Sequence, residues 1–294
     1  MCFFYCDMGA SMSNQFVNIS AYKFVDLSSD ALLTYREKLL SQAIEWGIKG
    51  TILLSTEGIN LFISAPKTVI ENYLSFLATF PPFVDLPCKE SLSADQPFTR
   101  MLVRLKKEII SMGKDEIQPA KKTAPYISAT DLKRWYDEGK DMVVLDTRND
   151  YEVGLGTFDK AIDLNISTFR KFPEAVKALP DDVKKKPVVT FCTGGIRCEK
   201  AAEYMQQNGF SEVYQLDGGI LKYFEECGGE HYQGECFVFD KRVSLNAQLE
   251  ETSVTQCYAC RMPLTQDQQR DDGVCLYCHG NSKTGARQVQ NNVV

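Results

Sequence analysis

Residues 187–197 read Pro187-Val188-Val189-Thr190-Phe191, followed without a break by Cys192-Thr193-Gly194-Gly195-Ile196-Arg197. A short, almost continuous apolar run that meets paired glycines and then a helical pattern, Glu199–Gln207, is a strand buried on both faces feeding a helix. The flanking segments repeat this alternation. They predict a helix from Ser128 with Asp131 as its capping-box acid, strand Met142–Asp146, a helix near Phe169–Leu179, strand Glu212–Leu216 and a short helix from Gly219. An open, parallel α/β sheet over residues 126–228 follows.

In such a sheet, the loops beyond the carboxyl ends of the strands form the ligand crevice. Cys192 stands in one of them, ahead of a helix N-terminus, where unpaired N–H groups and the macrodipole favour thiolate over thiol. Gly194 and Gly195 allow the backbone of Thr193, Gly194, Gly195 and Ile196 to curl its amides toward the sulfur, and Arg197 adds a cation at the rim. The competing reading is a small cysteine buried in a turn. Two readings also stand for Cys198: a resolving thiol against an oxidised Cys192, or a helix-start residue packed inward. The stretch from Cys192 to Arg197 makes a small cradle suited to a terminal sulfur, one residue shorter than C-x-x-x-x-x-R phosphate loops.

Residues 15–110 follow a strand–helix–strand–strand–helix–strand order. Phe16-Val17-Asn18-Ile19 opens a strand, and Ser28 or Ser29 caps a helix with the stripe Leu32, Leu33, Leu39, Leu40, Ala43 and Ile44. Short β-rich runs flank Glu57-Gly58, a second helix follows Pro66, and strands return near Asp85–Ser91 and Met101–Leu105. Two such halves predict a ferredoxin-like α+β sandwich, acylphosphatase-like in its order. Residues 111–125, with Gly113, Pro119 and Pro125, read as a linker.

Across this junction, from Gln96 to Arg134, nine basic residues stand against four acidic ones, whereas the whole chain carries −6. A nucleic acid therefore has to be held by a local patch, for which Arg100, Arg104, Lys106 and Lys107 are the candidates. An ordinary solvated face is the alternative. Phe98, Tyr126 and Trp135 can stack an unpaired base or serve as core.

Eleven cysteines, only two histidines and no apolar run near the roughly 20 residues of a membrane span point to sulfur chemistry in a cytoplasmic protein. The apolar start lacks a basic segment, so no signal peptide is expected, and either Met1 or Met12 can be the true start. Residues 229–283 form a Cys-rich segment. Its pairs Cys257-x-x-Cys260 and Cys275-x-x-Cys278 predict either a structural zinc site or four redox-active thiols, with His279 a bystander. Residues 284–294 are polar and read as a disordered tail.

The cysteine loop, together with Asp146-Thr147-Arg148 and Asp217-Gly218-Gly219-Ile220, resembles a rhodanese domain. That resemblance implies a persulfide on Cys192, a sulfur donor as partner, and a site stabilised by Asp146 and Arg148, for which a buried ion pair is the competing role. Further runs narrow the match: Gly50–Leu54, Glu57-Gly58-Ile59-Asn60, Phe98-Thr99-Arg100-Met101, Val103–Ile109 and Gly234–Asp240. With them the chain resembles the bacterial rhodanese-like tRNA uridine hydroxylases from Gln15 to Cys278. This resemblance implies hydroxylation of the wobble uridine in the anticodon region of tRNA, with molecular oxygen as co-substrate, an unidentified reductant and Cys192 as the catalytic cysteine. A sulfurtransferase acting on small thiols or cyanide is the alternative. Leu61 stands where that pattern leads one to expect glycine, which bears on how closely the backbone approaches a ligand. Oligomeric state is not legible.

Overall fold

The computed structural model describes residues 15–269 and 275–278. The two candidate starts, His279 and the tail 284–294 lie outside these residues.

Five strands form the N-terminal sheet: β1 (Phe16–Phe24), β2 (Lys49–Ser55), β3 (Gly58–Pro66), β4 (Cys88–Ser93) and β5 (Met101–Leu105), in the order β4-β1-β3-β2-β5. Neighbours are antiparallel except β2 and β5, which run parallel. The first four strands with α1 (Ser29–Glu45) and α2 (Lys67–Ala78) are a ferredoxin-like βαββαβ unit, and β5 extends one edge. Ser28 caps α1 by accepting the Ala31 N–H, which typically stabilises a helix by about 1 kcal/mol. Only Leu32, Leu39 and Ala43 of the expected α1 stripe are buried, while Leu33 and Ile44 face solvent. The helix therefore buries a narrower face than its composition suggests.

Alternation along the strands divides this sheet into two faces. Val17, Ile19 and Ala21 of β1 and Ile59, Leu61 and Ile63 of β3 pack in one core with α1 and α2. Asn18, Ser20 and Tyr22, with Asn60 and Phe62, point the other way. Leu61 thus lies on the helix side, and its side chain does not obstruct a ligand on the opposite face.

The second sheet is wholly parallel, in the order β6-β11-β10-β7-β9, as the apolar runs predict. In chain order its region contains β6 (Tyr126–Ile127), α3 (Ala129–Asp137), β7 (Val143–Asp146), α4 (Asp150–Val153), β8 (Gly156–Phe158), β9 (Ile162–Asp163), α5 (Phe172–Lys177), α6 (Asp181–Lys184), β10 (Pro187–Phe191), α7 (Ile196–Gln207), β11 (Glu212–Leu216) and α8 (Gly219–Cys227). Two apolar clusters cover its faces, one around Leu145, Val188 and Val213, the other around Val144, Val189 and Phe191. Residues 111–125 have no regular structure, yet Met112, Ile117 and Ala124 are buried in the first cluster. This segment is a packed strap rather than a free connector.

Beyond α8 the chain returns to the second sheet region through β12 (Tyr232–Gly234), which pairs with β8. Two further hairpins follow, β13 (Cys236–Phe237) with β14 (Ser244–Leu245) and β15 (Thr255–Gln256) with β16 (Pro263–Leu264). Among the described residues no helix is long and apolar enough to cross a membrane.

Candidate active site

Cys192 sits directly after β10, and α7 begins four residues later, at Ile196, earlier than the periodicity alone shows. The Gly195 N–H donates to the Cys192 sulfur at 3.1 Å, and the Arg197 N–H joins it. Of the four loop amides expected to converge there, Gly195 thus supplies the contact, while the Thr193 hydroxyl donates instead to the Phe237 carbonyl at 3.3 Å. Gly195 has φ +99°, and a Cβ on it would lie 2.9 Å from the Tyr22 hydroxyl, so only glycine fits. At Gly194 a Cβ would meet nothing closer than Ser20 Oγ at 3.9 Å. Its bare Cα leaves space between the loop and β1.

The start of α8 holds the loop from beneath. Ile220 and Leu221 donate their N–H groups to the carbonyls of Cys192 and Thr193, at 3.0 and 3.1 Å. A Cβ on Gly219 would approach the Cys192 carbonyl to 2.4 Å. The Asp217-Gly218-Gly219-Ile220 run is thus a buttress for the cysteine loop.

Burial pushes the Cys192 thiol up, but the Cys198 thiol, the Arg197 charge and the two backbone amides together bring it below the ordinary thiol range. Burial and the neighbouring Cys192 push Cys198 the opposite way. Cys198 is wholly buried, with its thiol beside that of Cys192, a placement compatible with both of its expected readings. Arg197 is not a free cation at the rim. Its guanidinium makes a paired contact with Glu152 of α4 at 2.7 and 2.6 Å and lies 5.8 Å from the Phe239 ring. Glu152 was invisible as a site residue in sequence, because nothing local marks it as the partner of an arginine 45 positions away.

Opposite the loop stands the helix-free face of the N-terminal sheet. Asn18, Ser20, Tyr22, Asn60 and Phe62 share one cleft with Cys192 and Arg197, and the C-terminal segment closes its side with Phe239 and Arg242. The space between these walls is about 920 Å³, open mouth included. Arg242 pairs with Asp240 at 2.6 Å and donates to Ser91 of β4 at 2.9 Å, fastening that segment to the sheet.

Polar side chains on α7 lock the two walls together. Glu199 accepts from Tyr22 at 3.1 Å, Tyr126 at 2.7 Å and Thr123 at 2.7 Å. Lys200 reaches Glu57 at 2.8 Å, Glu108 at 2.9 Å and the Ile110 carbonyl at 3.0 Å. Burial and the Glu199 carboxylate push the Tyr22 phenol well above its ordinary range, so it stays a donor. Glu57 and Asn60, noted as part of a motif, therefore serve the junction: Asn60 Nδ2 donates to the Ile109 carbonyl at 3.1 Å. The polar alternation Asn18, Ser20, Tyr22 was the one available sign that β1 faces something other than solvent or a helix.

The other expected residues lie elsewhere. Asp146 and Arg148 are completely buried against each other, with contacts of 2.9 and 2.6 Å. Arg148 also donates to the Gly156 carbonyl and Asp146 accepts from Thr157. Neither lines the cleft, and their geometry is that of an ion pair tying β7 to β8. Arg100, Arg104, Lys106 and Lys107 are exposed along β5 and its ends, at the sheet edge away from β4. Lys107 pairs with Asp115. Lys133 and Arg134 are neutralised by carboxylates on and near α3, so the basic stretch divides in two. Phe98 lines the cleft, whereas Trp135 packs beside Tyr214 and Tyr126 serves Glu199.

The four C-terminal cysteines converge. Their sulfur atoms lie within 4.8 Å of one another, Cys257 and Cys278 at 3.8 Å and Cys260 and Cys275 at 3.6 Å. A tetrahedral ion with bonds of about 2.3 Å requires sulfur–sulfur edges of about 3.8 Å. The set fits zinc, and the spacings are far from the roughly 2 Å of a disulfide.

Fold and site together define a rhodanese-type domain whose cysteine loop is roofed by a ferredoxin-like domain. A family described as UPF0176 acylphosphatase like domain matches residues 16–109, and one described as rhodanese-like domain matches residues 128–226. A tRNA uridine(34) hydroxylase of Cupriavidus taiwanensis is 50% identical over 282 residues, covering 92% of this chain and 99% of that protein. One of Burkholderia mallei is 47% identical over 289 residues, covering 93% and 96%. The chain belongs to the tRNA uridine(34) hydroxylase family.

Proposed function

We propose that this protein hydroxylates C5 of uridine 34, the wobble position of tRNA, with molecular oxygen as co-substrate and Cys192 as the reacting residue. The observation that carries this reading is the extent of the family match, 92% of the chain at 50% identity, which takes in both walls of the cleft. A carrier of persulfide sulfur needs only the second sheet and its loop. Here a further domain roofs the sulfur and leaves a cleft beside it. Replacing C5–H by C5–OH with one atom of dioxygen sends the other to water, so the reaction also consumes two electrons and two protons from a reductant. The test is nucleoside mass spectrometry of tRNA from a strain lacking the gene, with and without the native chain restored. Thiosulfate–cyanide turnover without restored 5-hydroxyuridine would favour the sulfurtransferase instead.

The anticodon arm is the part of tRNA that must reach the cleft, and the exposed cations on β5 are suited to its phosphates. With Arg104, Lys106 and Lys107 all changed to Gln, tRNA binding weakens. The slope of log K against log salt flattens by about 2 if each cation meets one phosphate of a single strand. Unchanged affinity and slope in a binding titration would remove this edge from the RNA path.

The four C-terminal cysteines hold a structural zinc ion in this proposal, with hairpin β15–β16 presenting one pair. Purified protein then carries about one equivalent of zinc, lost in Cys275→Ser, and chelation exposes residues 255–278 to hydrogen exchange before the parallel sheet. Equal protection of that segment in metal-free protein would refute the assignment.

A further inference from the structure

The cations that line the cleft are already committed, with one exception. Arg197 is held by Glu152, Arg242 by Asp240 and Lys222 by Asp217. Lys89 lines the same cleft without an ion pair or hydrogen bond among the described residues. It projects from β4, where it pairs with Ser20 of β1, and its ammonium lies 5.3 Å from the centre of the Tyr22 ring. Cys192 and Lys89 therefore come from opposite walls, one from the loop after β10 and the other from the roofing sheet. Burial lowers the Lys89 pKa, and the largest opposing influence is the charge on Cys192. The Asp217 and Lys222 charges also reach it, with opposite signs, but Asp217 is engaged by Lys222. A half-buried cation facing a thiolate and in direct contact with no carboxylate is matched to an anion that arises in the cleft during reaction.

Uracil supplies such an anion. Its C5=C6 bond is conjugated with the C4 carbonyl, so C6 is electrophilic. A thiolate that adds there forms an S–C6 bond and drives the π pair through C5 and C4 onto O4. The charge leaves sulfur on one side of the base and reappears as an enolate oxygen on the other. C5 becomes nucleophilic, and in the absence of an oxidant it takes a proton from solvent. Reversal removes a proton from C5, restores the double bond and expels the thiolate. No electrons are gained or lost, and the net result is exchange of the C5 hydrogen.

We propose that the cleft carries this second activity, oxygen-independent exchange of the C5 hydrogen of the target uridine, with Cys192 adding to C6 and Lys89 receiving the charge on O4. The inference rests on the reading of the cleft as the uridine site. It also gives sulfur a role in an oxygenation: the adduct makes C5 electron-rich before oxygen arrives.

The experiment uses the full-length protein and an unmodified anticodon stem-loop transcript containing uridine 34, in deuterated buffer under anaerobic conditions. Mass spectrometry of the recovered nucleosides reads a gain of one mass unit at that uridine. The native chain is expected to exchange it and Cys192→Ser not to. Lys89→Met should slow exchange by about 100-fold, in line with losing one donor to a developing oxyanion, while Lys89→Arg recovers most of the rate. Unchanged thermal stability and RNA binding in Lys89→Met separate this effect from misfolding. Native exchange in Lys89→Met would overturn the role of the lysine. A native chain that restores 5-hydroxyuridine in the deletion strain but exchanges no C5 hydrogen would overturn the adduct. Failure to restore the nucleoside would instead strike at the hydroxylase reading itself.

Discussion

In a strain whose only copy carries Cys192→Ser, position 34 of the substrate tRNAs contains no detectable 5-hydroxyuridine. Serine is close in size to cysteine, so the loop keeps its shape. The contacts from Ile220 and Leu221 are to backbone carbonyls and do not involve the sulfur, and the Gly195 N–H still finds an acceptor. What disappears is a group whose ionised form Cys198, Arg197 and two amides favour against the cost of burial. A hydroxyl there neither adds to an electrophilic carbon nor carries a second sulfur at useful rates. The expected loss is on the order of 10³-fold or more, since removing a nucleophile elsewhere costs up to about 10⁶. The ionisation is measurable directly. The thiolate absorbance that native protein shows and Cys192→Ser lacks should grow with pH around a midpoint below the ordinary value of about 8.5, because a lowered pKa extends the thiolate range downward. Native amounts of 5-hydroxyuridine from the serine variant would show that the chemistry lies elsewhere and turn attention to Glu57 and Asn60.

The second large effect is on stability. Asp146→Ala leaves the Arg148 guanidinium wholly buried with its carboxylate partner removed. Breaking such a pair costs about 3–5 kcal/mol, against a total of about 5–15 kcal/mol for a typical domain. The melting temperature should fall by about 10 °C or more. The neutral pair Asp146→Asn with Arg148→Met removes both charges together and should recover much of that loss. If the pair only ties β7 to β8, the double variant keeps near-native hydroxylation per folded molecule. A stable but inactive double variant would return Asp146 and Arg148 to the chemistry, where the resemblance to rhodaneses places them.

Local patterns were informative wherever a single element could satisfy itself. The run Pro187–Phe191 is buried on both sheet faces by its own composition, and Cys192 lies in a thiolate-favouring loop because a strand end and a helix start meet there. Ser28 caps α1 and the paired CxxC spacings bring four sulfurs together, each through contacts a few or a few tens of residues apart. Patterns misled where the neighbour was distant. Leu33 and Ile44 are apolar yet exposed, and residues 111–125 read as a connector although Met112 and Ile117 are buried.

Two layered α/β units, a thiolate-favouring loop and a cluster of four cysteines were legible in the chain alone, because strand period, helix period and capping act over one element at a time. It took the folded arrangement to show that Arg197 answers to Glu152, that Asp146 and Arg148 face away from the cleft, and that Lys89 stands across from Cys192. The last of these depends on docking one sheet against the helix after the loop, through Glu199 with Tyr22 and Lys200 with Glu57, contacts 177 and 143 positions apart, and the first on a contact across 45 positions within the second unit. No periodicity in the chain records such pairings, since the partner of a buried charge is chosen by where two surfaces meet and not by its neighbours in sequence.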